Sequence, residues 1–220
     1  MKKYTLTLCL FIITISLSAQ SFEGYVIYKM EMNNPFPGAI SEEQFQEMLK
    51  QQFGEKGFGI QKIYYKGNRY FTELDAGTQT GFQLYDPAEK LLYSWQAESD
   101  TAVTVITTKY IDKVKEVSDS DEEAKILDID CKAKLMKTSF GEMKIWYNND
   151  FLKMEPNLYE DHVYGNFSVM LEVAGSLPLK IEMTGMAPVV LTIMEYKAEP
   201  VSDDLFKLPD FKVVIANPVN

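Results

Sequence analysis

The chain has 220 residues, of which 46% are hydrophobic, 13% aromatic and 25% charged, with a formal net charge of −10. The apolar share excludes a disordered or fibrous chain, two cysteines cannot build a disulfide framework or a zinc cluster, and one histidine, His162, excludes a multi-histidine metal site. A single arginine, Arg69, and a pI near 4.7 leave no basic face for nucleic acid.

Residues 1–20 read as a secretory signal peptide. Lys2 and Lys3 form the basic start, residues 6–17 the apolar stretch, and Ser16, Ser18 and Ala19 the small residues before cleavage near residues 19–21. The stretch is too short for a comfortable span, which takes about 20 residues. The expected mature chain, residues 21–220, is one β-rich domain that does not span a membrane and is periplasmic or extracellular. Cleavage takes the formal charge from −10 to −12, because Lys2 and Lys3 leave with no acid. Cys9 leaves too, so Cys131 stands alone and is expected to be buried as a small hydrophobe.

The first strand is expected over residues 22–32, with Val26, Tyr28, Met30 and Met32 on one face. Pro35 and Pro37 break it. A helix follows. Ser41 is the N-cap, Gln44 completes a capping box, Glu42 and Glu43 complement the helix dipole, and Phe45, Met48, Leu49 and Phe53 form one apolar stripe ended by Gly54. Period-two alternation then predicts strands over residues 59–66, 69–74, 79–85, 90–96 and 102–110. Residues 112–123 are polar and acidic and read as a loop. Further strands are expected over 125–138, 142–148, 151–155, 167–173, 179–183 and 189–197. Residues 156–164 read as a loop or brief helix. Ser202 caps a helical turn over 203–206, and 212–216 is a last strand.

This count predicts a mainly β (α+β) fold. Its large curved antiparallel sheet would form an unclosed half-barrel, covered by one longer helix and one or two short ones. Helix 41–53 is expected on the concave face.

No constellation carries a reaction. There is no G-x-S-x-G elbow. Cys131 and His162 satisfy only the loosest nucleophile rule, and His162 reads as a surface residue beside Glu160 and Asp161 with a raised pKa. Asp119, Asp121 and Glu123 have the spacing of a calcium loop, but Ala124 stands where that loop needs glycine, so a solvated acidic loop is the better reading. Trp95 and Trp146 fit either a sugar-stacking platform or strand positions in a core. The enrichment in Met, Phe and Tyr fits a Met-rich core first and an adaptable cavity second.

Several short segments carry a likeness: Gly24-Tyr25-Val26-Ile27-Tyr28, Ile129-Asp130-Cys131-Lys132, Ile145-Trp146-Tyr147-Asn148, Gly175-Ser176-Leu177-Pro178-Leu179-Lys180 and Asp204-Leu205-Phe206-Lys207-Leu208-Pro209. In these the chain resembles exported bacterial families of unknown function related to the GLPGLI type. The resemblance implies the fold of the outer-membrane lipoprotein carrier (LolA-like), an unclosed barrel plugged by helices, whose cavity takes acyl chains. No catalytic residues come with it.

The resulting expectation is a non-enzymatic exported protein that binds a lipid, an acylated or another apolar ligand. Met30, Met32, Phe45, Met48, Leu49, Phe53, Trp146 and Met183 would line the site, with no metal or cofactor. The alternatives are an envelope-protein interaction module with a solid core, and an enzyme assembled from Asp, Glu and Tyr.

Overall fold

The computed structural model describes residues 21–77, 80–185 and 188–218. The expected signal peptide, Gln79 and Met186 lie outside the described residues. The strands are β1 (Gly24–Met32), β2 (Gly59–Lys66), β3 (Arg69–Asp75), β4 (Thr80–Asp86), β5 (Leu91–Gln96), β6 (Thr101–Ile106), β7 (Glu116–Ile126), β8 (Ile129–Lys137), β9 (Glu142–Tyr147), β10 (Lys180–Met183), β11 (Val189–Ala198) and β12 (Val213–Ala216). They form one twelve-stranded sheet in the order β12-β6-β5-β4-β3-β2-β1-β11-β10-β9-β8-β7. Every pairing is antiparallel except β12 with β6. The sheet is not closed into a barrel. The half-barrel and its helices match the fold class read from the sequence.

Among the described residues two α-helices accompany the sheet, α1 (Glu42–Phe53) and α2 (Phe167–Ala174). α1 starts where the sequence places it. The Ser41 side chain accepts from the Gln44 N–H, and the Gln44 side chain accepts from the Ser41 N–H, so two otherwise orphaned donors are satisfied. Its buried residues Phe45, Leu49 and Phe53 pack on Met30, Met32, Ile40 and Ala76, which is the rim of the sheet and not its concave centre. Gly77 makes this docking possible. It holds φ +74°, and a Cβ there would lie 2.2 Å from the Phe53 backbone.

The helix that covers the concave face is α2, over residues for which alternation predicts a strand. Phe167, Met170, Leu171 and Ala174 recur at i, i+3, i+4 and i+7, the spacing of a helical stripe. Val169 and Val173 supply the strand-like character. Gly175, at φ 63°, ends the helix with its N–H on Leu171 O.

The acidic segment is also regular. Residues 116–126 form edge strand β7, not a loop. Most of its side chains sit in water on both faces, so the strand stays polar. Lysines of the neighbouring strands hold it, with Asp119–Lys134 at 2.5 Å, Glu122–Lys144 at 2.6 Å and Glu116–Lys137 at 3.1 Å. The single strand expected over 125–138 is broken by a two-residue turn at Leu127 and Asp128, both at positive φ. That is the geometry of a primed hairpin turn, made here without the usual Asn-Gly pair. β6 stops at Ile106, short of the expected residue 110, and residues 151–155 contribute only one bridge, Lys153 to Ser176.

Both faces of the central strands are covered. Tyr70, Phe71 and Thr72 are consecutive and all buried. Tyr70 packs on Tyr159, His162 and Phe167. Phe71 packs on the opposite face with Leu84, Val201 and Phe206, supplied in part by the C-terminal segment. Leu171 is fully buried at the centre of the principal core. Leu171→Ala should therefore lower the unfolding free energy by about 3 kcal/mol. Met48→Ala, at a half-exposed position of α1, should change it by less than about 0.5 kcal/mol. Urea denaturation of the two variants measures both.

Candidate functional site

A cavity of about 170 Å3 lies between the sheet and α2. Its floor is a patch of four adjacent strands. The register sets Tyr28 opposite Gln61, Ile63 opposite Thr72, Tyr65 opposite Tyr70, and Thr72 opposite Gln83. Ile181 and Leu191, paired across β10 and β11, extend the floor beyond β1. The roof is Phe167 and Met170 of α2, then Leu177 and Pro178. The Tyr28 hydroxyl donates to Pro178 O at 2.6 Å and ties roof to floor.

The lining is apolar and aromatic apart from three polar groups. Gln83 donates to Ser94 Oγ at 3.3 Å. Gln61, on β2, lies two strands from Gln83. Thr72 is 1% exposed, and its Oγ1 has no hydrogen-bond partner. A buried hydroxyl without a partner costs about 1–3 kcal/mol. Burial pushes the phenol pKa values of Tyr28, Tyr65 and Tyr70 up, so all three stay neutral. Among the described residues, no carboxylate, lysine or cysteine lines the cavity.

Behind this wall stands His162. It is 1% exposed, not on the surface, and its Nε2 lies 2.8 Å from the Tyr70 hydroxyl. Its ring is 4.4 Å from that of Tyr85 and 5.2 Å from that of Phe167. Nδ1 has no partner. Burial among these rings lowers the pKa to about 4, the reverse of the rise expected from Glu160 and Asp161. Asp161 instead pairs with Lys90 at 2.7 Å.

Neither a known protein family nor a curated protein matches the sequence. Among solved structures, the chain is similar to an uncharacterized conserved protein from Thermus thermophilus. Identity is 10% and the TM-score 0.51, over 90% of this chain and 91% of that one. Two crystal forms of PNGF-II also align, at 12% and 13% identity with TM-scores of 0.47 and 0.45. This chain spans about a third of their length, 32% and 31%. The Thermus likeness is one of fold alone.

None of the eight residues expected to line the site borders this cavity. Met30, Met32, Phe45, Leu49 and Phe53 do come together, as the rim cluster under α1. Met48 is 53% exposed and joins no cluster. Trp146 is buried, but it pairs across the sheet with Lys180 and Ala133, while its neighbour Ile145 shares the register of Ile181 on the cavity side. Met183 packs with Met136, Met143 and Met170 beside the cavity. It belongs to a cross-strand row that runs Met32, Val189, Met183, Met143, Met136. Trp95 packs at tilted and edge-on angles against Phe71, Phe82 and Phe211, so the two tryptophans share no platform. Cys131 is buried and its thiol donates to Ile129 O, while His162 bonds to Tyr70, so they form no catalytic pair. The residues with calcium-loop spacing lie in β7. Among the described residues no three His, Cys, Asp or Glu side chains are grouped to hold a metal.

Sequence reasoning missed Tyr65, Tyr70, Thr72 and Phe167. The helical stripe starting at Phe167 was the signal that could have found the roof.

The state of His162 sets a pH dependence. Its pKa is about 4 when folded and 6.5 when free, so the unfolded chain takes up the proton first as pH falls. The contribution of neutral His162 is complete above pH 6.5 and is lost between pH 6.5 and 4. From pH 7 to pH 5 it should cost about 2 kcal/mol of stability. Urea titrations at the two pH values should show this loss, and His162→Gln should remove most of the difference.

Proposed function

We propose that the protein is an exported, non-enzymatic binding protein that holds a lipid, an acyl group or another apolar small molecule between the sheet and α2. The observation that carries the reading is the cavity beneath α2, with an uncharged lining and one unpartnered hydroxyl, Thr72 Oγ1. The resemblance to exported families with a carrier-like fold points the same way.

Volume and energy bound the ligand. A cavity of roughly 150 Å3 accommodates benzene, so 170 Å3 takes roughly six to eight non-hydrogen atoms. Burying six methylenes is worth about 5 kcal/mol, a sub-millimolar Kd. Tighter binding needs either a polar group that meets Thr72, Gln61 and Gln83, or a longer chain. The methionine row offers that chain an adaptable apolar path, because Met side chains repack at small cost.

Organic-solvent extraction of protein purified from its native envelope, followed by mass spectrometry, should yield a stoichiometric apolar molecule. An empty extract, together with no uptake of added fatty acids or phospholipids, would sink the reading. Thr72→Val separates function from structure. It should raise stability by about 1 kcal/mol, because the orphaned hydroxyl is gone, and weaken a ligand with a polar end about tenfold. Ile63→Trp should fill the cavity and abolish displacement of an environment-sensitive dye. Met48→Asp, outside the cavity, should leave displacement unchanged.

A further inference from the structure

Residues 107–115 join β6, next to one margin of the sheet, to β7, at the other. The connection therefore crosses the open side of the half-barrel. It runs over the helical cover on the way. Thr107 O accepts from the N–H groups of Val163 and Tyr164, just before α2. Val114 packs against the buried cluster that includes Met136 and Met143 of the sheet and Met170 and Ala174 of α2. At the far end the Lys115 N–H donates to Lys137 O at 2.7 Å, and Asp112 Oδ1 accepts from the N–H groups of Ser139 and Phe140 at 2.7 and 3.2 Å. The strap and the β8–β9 turn thus form one continuous surface.

That surface has an unusual composition for this chain. Tyr110, Ile111 and Phe140 are 44%, 40% and 51% exposed. Lys109, Lys113 and Lys115 are exposed around them. Most basic side chains of the described residues hold a carboxylate, but these three form no ion pair. Lys113 lies over the Tyr110 ring at 5.6 Å. The nearby carboxylates are occupied, Asp112 by two backbone N–H groups and Glu116 by Lys137. A protein with net charge −10 has collected free positive charge and exposed apolar tips in one place.

We infer that this strap docks the protein on an anionic phospholipid surface, with Tyr110, Ile111 and Phe140 in the interfacial layer and the three lysines among the headgroups. Charge complementarity selects a membrane over a protein partner. Protein interfaces favour Arg and deplete Lys, whereas here every cation is Lys and the chain's only Arg, Arg69, pairs elsewhere with Asp203. Lysines beside aromatic residues are the usual composition of an interfacial anchor. The inference does not depend on what occupies the cavity, so vesicle binding and dye displacement fail independently.

The test is co-sedimentation of the purified protein with vesicles of phosphatidylethanolamine and phosphatidylglycerol, and with vesicles of phosphatidylcholine alone. Binding should favour the anionic vesicles and fall as salt is raised. Replacing Lys109, Lys113 and Lys115 by Ser should weaken it about a hundredfold, roughly fivefold per lysine. Replacing the unpaired Lys50 and Lys56 by Ser should leave it unchanged. Phe140→Trp should add a blue-shifted emission on vesicle addition that the native tryptophans do not give. Equal binding to both vesicle types, or full binding by the triple variant, would overturn the inference. No binding to either would do the same, and would leave the patch to a protein partner.

Discussion

A curled sheet creates an apolar hollow on its concave side, and the segment that fills the hollow sets most of what the molecule can do. Residues 148–179 perform this task with one two-turn α-helix and two single 3-10 turns, at Pro156–Tyr159 and Tyr164–Asn166, so hydrogen bonds do much of the pinning. Phe22 N–H donates to Lys153 O at 2.7 Å. The Tyr159 hydroxyl lies 3.2 Å from Gly67 O and 3.1 Å from Arg69 O. Tyr28 reaches Pro178 O, and Val163 and Tyr164 reach Thr107 O. These anchors fix the height of α2 above the strands. Where the side chains beneath are large, as at Tyr85, which meets Tyr159 of the cover, the gap is filled. Where they are Ile63 and Thr72, it is not, and the cavity results.

The sequence expressed the sheet well because fully buried and half-exposed residues alternate along strands such as β1, which leaves the period-two pattern visible. α1 was legible from its capping box, a local hydrogen-bond device that needs no tertiary partner. Its location was not legible, since an apolar stripe states that a surface is covered but not which one. Phe45, Leu49 and Phe53 cover the rim. α2 was hidden by its valines and by flanking Gly165 and Gly175, which mimic the turns of a meander. β7 was hidden for the opposite reason. A margin strand exposed on both faces has no hydrophobic pattern to show, and its charges are satisfied by lysines distant in sequence. His162 illustrates the limit most clearly. Its sequence neighbours are acidic, but its spatial neighbours are Tyr70, Tyr85 and Phe167, and burial decides its pKa.

The site followed the same logic. Methionine abundance directed attention to an adaptable surface, and that surface exists as the row from Met32 to Met136. The cavity itself is walled by tyrosines and amides whose placement comes from register across four strands. Cross-strand register sums several turn and bulge geometries, such as the shift between Ile27 and Tyr28, and no single segment encodes it.

The position of β1 has a kinetic consequence. The first strand to emerge lies in the middle of the sheet, between β2 and β11. One of its edges can pair as soon as β2 exists. The other must wait for residues 189–198, near the end of the chain. Until then the six strands β1 to β6 form a partial sheet with a central edge open, and strands β7 to β10, which pair among themselves, are not joined to it. Contacts of such long sequence separation make folding slow, and open edges of this kind recruit foreign strands. The two halves of this half-barrel can therefore form separately, but they are welded together only when β11, late in the sequence, becomes available.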